Sequence, residues 1–392
     1  MNKIPVLISA AEHSADMHAA NLVRAVLEVR DDVEFHGFGG PRLRAAGCHV
    51  HVDLLALASM VLGFLGHLPR YFGVVRRFDR MLRELRPAAV VLVDSPGLHF
   101  ILARLACWRG VPVVYYICPQ IWAWAPWRRG RILRYTDLLL SILPFETEVF
   151  ANARVPVEFV GHPLGDELAA VPPEAGERLR EELGLARARD GLVLGVLPGS
   201  REREVDELMP ILRELLDTVG AGRDELRVLV SCCRDEFESP IRGALAGTPV
   251  RWDLVRGDSR PLVLASDLLL SKSGTATLEA AFFERPMVVF YQASALARFF
   301  YRRLVVSPYF SLPNLLGASL FDGEAVVDEV LCRSRDATPL VEPTRALLED
   351  DERRRGQRAR LRMLRERFLV PGASARAARA VIAFLDGLDR GA

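Results

Sequence analysis

The sequence predicts an α/β protein built from two doubly wound parallel sheets, and three observations support this. Continuous apolar runs such as AAVVLVD and VPVVYYI alternate with helical patterns along most of the chain, as strands buried on both faces require. These runs form two series, separated by a segment rich in proline, glycine and acidic residues, VGHPLGDELAAVPPEAGE. The 392 residues, 50% of them hydrophobic, suffice for two domains that each have a core.

The predicted strands follow in chain order. The first series comprises Pro5–Ser9, Val33–Gly37, Ala88–Val93, Val111–Ile117 and Leu138–Leu143. The second series comprises Leu192–Leu197, Arg227–Ser231, Val250–Leu254, Asp267–Leu270 and Met287–Tyr291. A last helix follows the break at Pro371-Gly372, and we expect it to pack back on the first domain. We therefore expect a first domain from residues 1–165 with helix 372–392, a second from 166–371, and ligands in a cleft at the carboxyl ends of the strands.

Composition and charge narrow the classes of function. The formal net charge of +1 and the lack of a recognised binding module argue against nucleic acid as a partner. The longest charge-free apolar run, Leu54–Pro69, is shorter than a membrane-spanning helix, and no signal peptide is expected. Between Gly66 and Tyr135, twelve arginines accompany only three acidic residues. This stretch faces either anionic lipid or a phosphorylated substrate, or it forms solvated helix faces.

Two strand-to-helix turns in the second half are typical of a nucleotide-diphosphate site. In LPGSRER, the turn Gly199-Ser200-Arg201 offers backbone N–H groups and a guanidinium to a diphosphate. In SKSGTATLEAA, the residues that would contact a nucleotide are Ser273, Gly274, Thr275, Thr277 and Glu279, the last through the ribose hydroxyls. For each turn the alternative is an ordinary capped helix, but two such turns in one sheet favour a nucleotide pocket.

The first half contains a candidate general base and candidate sugar contacts. Asp94 follows the buried strand VLV, where partial desolvation raises the basicity of a carboxylate; the alternative is an N-cap for the next helix. The sequence ICPQIWAWAPWRRGRI combines tryptophans and arginines that suit a sugar face, an acyl chain or a phosphate, with buried core as the alternative. The candidate contacts of this half are His18, His99, Trp122, Trp124, Arg128 and Arg129. No histidine pair has metal-ligand spacing, so no metal site is expected.

The chain resembles the lipid-A-disaccharide synthases, glycosyltransferases of the GT-B fold. The resemblance extends nearly from end to end and rests on the order of AAEHSADMHAA, GFGGPRLRAAG, VDSPGLHF, ICPQIWAWAPWRRGRI, LPFE, FVGHPLGDE, LPGSRERE, SGTATLEAA and SLPNLLGASLFDGEAVVDEVL. It implies two Rossmann-like domains and an inverting transfer of 2,3-diacylglucosamine from its UDP donor to 2,3-diacylglucosamine 1-phosphate. The products would be the β-1,6-linked lipid A disaccharide 1-phosphate and UDP, formed without a metal ion or other cofactor.

The resemblance also implies roles for individual residues and a location. Asp94 falls on the family's base, and Asn314 lies in the cleft-lining SLPNLL motif on the donor side. Glu12, Ser14 and Asp16 match the polar positions of the family's first turn, which implies contacts on the acceptor side. The segment Leu54–Phe72 corresponds to an apolar, membrane-facing part, which implies peripheral association with the inner face of the cytoplasmic membrane. The sequence is compatible with a homodimer.

The departures from the family pattern lie in the first domain. The family's first turn reads G-E-x-S-G-D, whereas this chain has Ala11 and Ala15, which we expect to restrict positive φ and so to reshape the loop. The family's A-P-D-F-N pattern is replaced by residues 95–99, SPGLH, and Gly63 stands where a glutamate is usual. Three alternatives therefore stay open: a related enzyme with another acceptor, a UDP-sugar 2-epimerase, and a non-catalytic binder of a UDP-sugar or lipid.

Overall fold

The computed structural model describes residues 3–59, 68–119, 129–151, 154–185, 191–292, 309–332 and 336–389. The chain divides into two compact units, the first Met1–Asp166 with Pro371–Ala392 and the second Glu167–Val370. Each unit contains one parallel sheet with helices connecting its strands. The predicted α/β class with two doubly wound sheets is confirmed.

Unit 1 is built on a seven-stranded parallel sheet. Its strands are β1 (Ile4–Ala10), β2 (Val33–Gly39), β3 (His49–Asp53), β4 (Ala89–Val93), β5 (Val113–Tyr116), β6 (Leu138–Ser141) and β7 (Val157–Phe159), in the order β3-β2-β1-β4-β5-β6-β7. Its helices are α1 (His13–Leu27), α2 (Pro41–Ala45), α3 (Leu54–Ser59), α4 (Leu68–Leu85), α5 (Pro96–Trp108), α6 (Arg129–Arg134), α7 (Glu146–Val149) and α8 (Leu164–Ala169), the last crossing the unit boundary. The central strands β4 and β5 are buried along their whole length, as their unbroken apolar runs predict.

Unit 2 repeats the design with six parallel strands. They are β8 (Val193–Leu197), β9 (Arg227–Cys232), β10 (Arg251–Arg256), β11 (Leu268–Lys272), β12 (Met287–Gln292) and β13 (Asp328–Cys332), in the order β10-β9-β8-β11-β12-β13. Its helices are α9 (Ala175–Glu182), α10 (Glu202–Gly220), α11 (Glu238–Ala244), α12 (Arg260–Ala265), α13 (Ala276–Phe282), α14 (Leu312–Gly317), α15 (Thr338–Glu349) and α16 (Asp351–Phe368). A single 3₁₀ turn, Asp235–Phe237, precedes α11 within the described residues.

The last helix, α17 (Ala373–Asp389), belongs to unit 1 and packs against α1. Asp166 holds its first turn, because the carboxylate accepts hydrogen bonds from the backbone N–H groups of Gly372, Ala373 and Ser374. At the other end, the Arg30 guanidinium donates to the Asp386 carboxylate at 2.5 Å. Unit 2 is therefore inserted in the sequence between the main part of unit 1 and its last helix.

Among the described residues, one helical stretch, Asp351–Leu388, is long and apolar enough by length and composition to cross a membrane. Half of its apolar window is buried in the fold. Core helices of soluble proteins meet the same criterion of length and hydropathy. The stretch consists of α16 and α17, which are separated by the turn at Pro371-Gly372. The buried half of the window packs within the protein.

Candidate active site

Each unit has a topological switch point, where neighbouring strands lead to helices on opposite sides of the sheet. In unit 1 this point lies between β1 and β4, and in unit 2 between β8 and β11. Ligands of doubly wound folds bind outside the carboxyl ends of the strands at such points. The residues after β1, β4, β8 and β11 are Ala11-Glu12, Asp94-Ser95, Pro198–Arg201 and Ser273–Thr275, which the sequence motifs single out.

Asp94 occupies the switch point of unit 1 in an uncommon backbone conformation. Asp94 and Ser95 have φ values of +53° and +48°, a left-handed pair between β4 and α5. Burial, with a smaller contribution from the Glu12 carboxylate, raises the pKa of Asp94 to about 6, and the N–H of Ser95 acts in the opposite direction. A carboxylate with this pKa is ionised at neutral pH and still basic enough to accept a proton from a hydroxyl.

The first turn of unit 1 presents Glu12 and Ser14 to solvent, where both are free to contact a ligand. Neither Ala11 nor Ala15 is among the described residues with positive φ, as expected for residues that carry a Cβ atom. Ala15 lies inside α1 and is fully buried, so its methyl group fills core space. The two alanines thus leave the backbone of this turn unstrained.

Asp16 and His99, both expected to contact the sugar, lie in the interior, and this expectation needs correction. The Asp16 carboxylate is fully buried and accepts hydrogen bonds from the N–H groups of Gly40 (2.6 Å), Arg42 (3.1 Å) and Leu43 (3.3 Å) at the start of α2. It fixes the chain after β2 and cannot reach a ligand. The His99 ring is fully buried, with Nδ1 2.6 Å from the Asp94 carbonyl oxygen and Nε2 3.0 Å from Ser9 Oγ.

Of the remaining candidate contacts of unit 1, two are half-buried and three lie outside the described residues. His18 is half-buried near Asp166 and Arg42, and burial lowers its pKa to about 4, so the ring is neutral at physiological pH. Arg129 is half-buried, and its Nη2 donates to the carbonyl of Ala151 at 2.5 Å, which uses part of its hydrogen-bonding capacity inside the protein. Trp122, Trp124 and Arg128 lie outside the described residues.

In unit 2, the turn after β8 has a shape that only glycine permits. Gly199 has a φ of +127°, and a Cβ atom there would lie 2.5 Å from Glu204 Oε2 and 2.8 Å from Glu204 Cβ. Glu204 in turn accepts from the N–H of Ser200 at 3.0 Å and from Lys272 Nζ, at the end of β11, at 2.9 Å. Glu204 therefore ties together the two loops of the switch point.

Glu204 and Lys272 were not identified from the sequence. Burial opposes ionisation of Glu204, but the bonds from Lys272 and Ser200 together with Arg201 outweigh it and lower its pKa. Two signals were available: Glu204 is the third residue of α10, where capping glutamates reach back to the chain before the helix, and Lys272 is one of only two lysines.

Arg201, Gly274 and Thr275 are exposed groups of this switch point. The side chain of Arg201 is 80% exposed, with Glu204 3.5 Å away as its carboxylate neighbour. The N–H of Ser273 donates to the carbonyl of Phe290, and its hydroxyl lies 3.2 Å from the carbonyl of Phe310. The accessible guanidinium and nearby backbone can receive an anionic group.

Two further donor-side predictions need correction because their side chains are occupied within unit 2. Thr277 is fully buried, and its hydroxyl donates to the carbonyl of Gly274 at 2.7 Å. Asn314 is also fully buried: its Nδ2 donates to the Val327 carbonyl and to Glu329, while its Oδ1 accepts from the N–H groups of Val326 and Val327. An amide side chain has two donors and two acceptor sites, so none remains for a ligand.

Glu279 differs, because it is a half-buried carboxyl with no hydrogen bond to organise it within the described residues. Burial raises its pKa to about 7; Arg260 acts in the opposite direction, and Asp258 and Glu167 add to the rise. Hydroxyl donors of a ribose would stabilise the ionised form of such a group. No group of three or more histidine, cysteine or acidic side chains in the described chain is arranged to hold a metal ion.

Comparison with known proteins establishes the family. A sequence model described as lipid-A-disaccharide synthetase matches residues 6–381. The chain is 36% identical over 381 residues to a lipid-A-disaccharide synthase of Anaeromyxobacter dehalogenans (strain 2CP-C), covering 96% of each sequence. It is also 36% identical over 398 residues to the enzyme of that name from Koribacter versatilis (strain Ellin345), covering 98% of this chain and 100% of the relative.

Solved structures share the fold at low sequence identity. The S. aureus MnaA–UDP co-structure aligns with a TM-score of 0.66 and 13% identity over 98% of this chain and 97% of its own. Acinetobacter baumannii MurG aligns with a TM-score of 0.60 and 14% identity, covering 97% and 99%. These likenesses agree with the GT-B fold, and on the sequence match over nearly its whole length the chain belongs to the lipid-A-disaccharide synthase family.

Proposed function

We propose that this chain transfers 2,3-diacylglucosamine from UDP-2,3-diacylglucosamine to the 6-hydroxyl of 2,3-diacylglucosamine 1-phosphate. The products are the β-1,6-linked disaccharide 1-phosphate and UDP. The observation that carries the proposal is the family match over residues 6–381, which includes both switch-point loops. The alternatives of a 2-epimerase and of a non-catalytic binder have no specific observation in their favour.

In the proposed mechanism, Asp94 is the general base. Its carboxylate takes the proton of the acceptor 6-hydroxyl while that oxygen attacks the anomeric carbon of the donor. The bond from the anomeric carbon to the UDP oxygen breaks, and attack from the opposite face inverts the configuration. The raised pKa of Asp94 supports this role, because a more basic carboxylate drives the proton transfer further.

On the donor side, we propose that Arg201 and the backbone of Gly199 and Ser200, at the start of the long helix α10, bind the diphosphate. The positive charge of this guanidinium stabilises the negative charge that develops on the departing UDP. Ser273, Gly274 and Thr275 contribute the opposite loop, and Glu279 accepts hydrogen bonds from the ribose. Following the family resemblance, we propose that no metal ion takes part.

The proposed membrane contact lies on the α4–α5–α6 side of unit 1. Phe72, Ile101 and Trp108 expose 63%, 52% and 66% of their surface, and the Arg104 guanidinium lies 4.1 Å from the centroid of the Trp108 ring. A groove of about 670 Å³ beside them is lined by Phe100, Ile101, Arg104, Gly130, Arg131, Arg134 and Tyr135. Exposed apolar side chains among arginines suit an anionic lipid surface, which supports peripheral association. Residues 60–67 of the segment Leu54–Phe72 lie outside the described residues.

The test is a transfer assay with both lipids in mixed micelles. UDP is expected only when donor and acceptor are both present, together with the disaccharide by mass spectrometry, and turnover is expected to persist in EDTA. Asp94→Asn is expected to lower kcat by roughly 100-fold or more while UDP affinity is kept. If the donor sugar is epimerised in the absence of acceptor, the protein is an epimerase. If no product forms with any acylated sugar phosphate, the protein is a non-catalytic binder.

A further inference from the structure

The carbonyl of Asp94 is held by two side chains from neighbouring elements. His99 Nδ1, on α5, lies 2.6 Å from this oxygen, and the Tyr115 hydroxyl, on β5, donates to it at 2.8 Å. A carbonyl oxygen has two acceptor sites, so both are filled. The N–H of Asp94 donates to the carbonyl of Tyr116 at 3.0 Å, so the backbone of Asp94 is fixed on both sides.

These bonds determine which nitrogen of His99 carries the proton. A carbonyl cannot donate, so Nδ1 must be protonated. The Nε2 lone pair is then free to accept from the hydroxyl of Ser9, on β1, 3.0 Å away. Burial lowers the pKa of His99 to about 4, and the ring therefore stays neutral and keeps this tautomer across the working pH range.

The left-handed backbone at Asp94 explains why such restraint is needed. A residue other than glycine leaves this region readily unless its surroundings hold it there. The direction of a side chain is set by the backbone from which it projects, so a relaxed peptide would turn the Asp94 carboxylate away from its present position. His99 stands where the related family pattern has asparagine, whose side-chain NH₂ is also a donor.

We propose that His99 is a positioning residue for the reaction: supported by Ser9, its Nδ1–H holds the Asp94 peptide in the left-handed conformation that aims the carboxylate at the acceptor hydroxyl. The inference rests on the proposed function, in which Asp94 is the base. His99 itself is fully buried and touches neither substrate. Its effect on catalysis is therefore exerted through Asp94.

The experiment compares His99→Leu, which removes the donor, with His99→Asn, which can keep one. For His99→Leu, kcat is expected to fall roughly 10- to 100-fold with UDP affinity unchanged, as for a group displaced from its productive position. His99→Asn is expected to restore most of this loss. Leu102→Ala is the matched control, because Leu102 is equally buried on α5 but its apolar side chain makes no hydrogen bond to Asp94. This variant is expected to lower stability while kcat stays near normal.

The pH dependence of kcat/KM supplies a second measurement, which a mere loss of stability would not change. The groups that act on Asp94 are Glu12, the N–H of Ser95 and the surrounding buried residues, including neutral His99 and Tyr115. Released from its buried position, Asp94 would regain its ordinary pKa. The acidic limb of kcat/KM, near pH 6 in the native enzyme, is then expected at lower pH in His99→Leu and unchanged in Leu102→Ala.

The outcomes separate this inference from the proposed function. If Asp94→Asn is inactive but His99→Leu keeps the native kcat and acidic limb, the positioning role is wrong and the base assignment stands. If Asp94→Asn remains active, the base assignment fails, and the positioning role fails with it. Should His99→Leu not fold, His99→Phe also removes the donor while keeping a ring in the cavity: a reduced kcat with a shifted limb supports the inference, and native values overturn it.

Discussion

At the scale of single residues, the polar groups divide into those whose partners are inside the protein and those that await a ligand. Asp16, His99, Thr277 and Asn314 all lie in or beside strand-to-helix turns, and all are buried and hydrogen-bonded to protein groups. Glu279 is the reverse case, a half-buried carboxyl whose pKa burial raises to about 7. A ligand that donates hydrogen bonds to it must shift its ionisation.

Glu279 therefore predicts a proton release on nucleotide binding. If ribose hydroxyls stabilise its carboxylate, the pKa falls on binding, and near pH 7 about half a proton per site leaves the protein. Because binding releases a proton, the affinity for UDP rises as the pH increases through about 7. Calorimetry of UDP binding in buffers of different ionisation enthalpy measures the release directly.

The matched control is Glu279→Gln, which keeps the shape of the side chain. Since the phosphates of UDP titrate equally with both proteins, the difference in released protons between native chain and variant belongs to Glu279. Equal proton release from the two proteins would show that Glu279 does not contact the ribose.

The sequence could locate Asp94 but could not decide the roles of its polar neighbours. An unbroken apolar strand places the next residue at the carboxyl edge, so Asp94, Gly199 and Ser273 were found from local pattern alone. His99 bonds to Ser9, 90 positions away, and Asp16 to Gly40, 24 positions away. A polar residue beside a turn looks the same in sequence whether its partner is a distant backbone group or a substrate.

At the scale of elements, the turn before α10 depends on one glycine and one glutamate. Gly199 supplies a backbone conformation closed to other residues, and Glu204 closes the turn from within the helix. Together they present Ser200 and Arg201 at the helix start.

Gly199→Ala is expected to disrupt this turn. The new Cβ would strain the backbone and collide with Glu204, breaking its bond to Ser200 and displacing Arg201, with a cost of about 1–3 kcal/mol. UDP affinity is expected to fall roughly tenfold, in line with the loss of a charge-assisted contact. Isothermal titration and thermal unfolding measure the two effects.

Gly243→Ala, on α11, is the control because a Cβ there meets nothing within 4 Å. It should leave UDP affinity unchanged and stability equal or slightly higher, as for other replacements of a helical glycine. A similar drop in affinity for both variants would contradict the role given to the Gly199 turn.

Element prediction was weakest at the sheet edges. The strands β3, β7 and β13 all lie at an edge, and none belonged to the predicted series, although His49 and His51 of β3 alternate as in a strand. Edge strands are short or carry polar residues, since one side faces solvent or a loop: β7 has three residues and β13 reads DEVLC. The central strands, buried on both faces, have the long apolar runs that made them visible.

At the scale of the whole molecule, charge is distributed unevenly although the total is near zero. Most arginines of unit 2 face acidic partners, as Arg256 does with Glu238 and Arg353 with Asp328. In the groove of unit 1, Arg104, Arg131 and Arg134 have no carboxylate partner among the described residues. Unpaired guanidinium groups beside exposed apolar side chains favour an anionic surface.

Replacing Arg104, Arg131 and Arg134 together by Gln is expected to weaken binding to phosphatidylglycerol vesicles on the order of 100-fold, from about 1 kcal/mol for each charge. Binding to phosphatidylcholine vesicles should change little. A variant with Arg203, Arg251 and Arg367 of unit 2 replaced by Gln loses the same charge and serves as the control. Equal weakening by both variants in a vesicle sedimentation assay would assign the effect to net charge alone.

The return of α17 to unit 1 has a consequence for how the protein is made. Unit 2 is continuous in sequence, from Glu167 to Val370, so all its strands are available as soon as that stretch leaves the ribosome. Unit 1 must wait, because the carboxylate of Asp166 and helix α1 meet their partners only when Ala373–Asp389 has been synthesised. Unit 1, which is translated first, is thus the second to be completed, and the nascent chain carries an unfinished unit 1 while unit 2 folds.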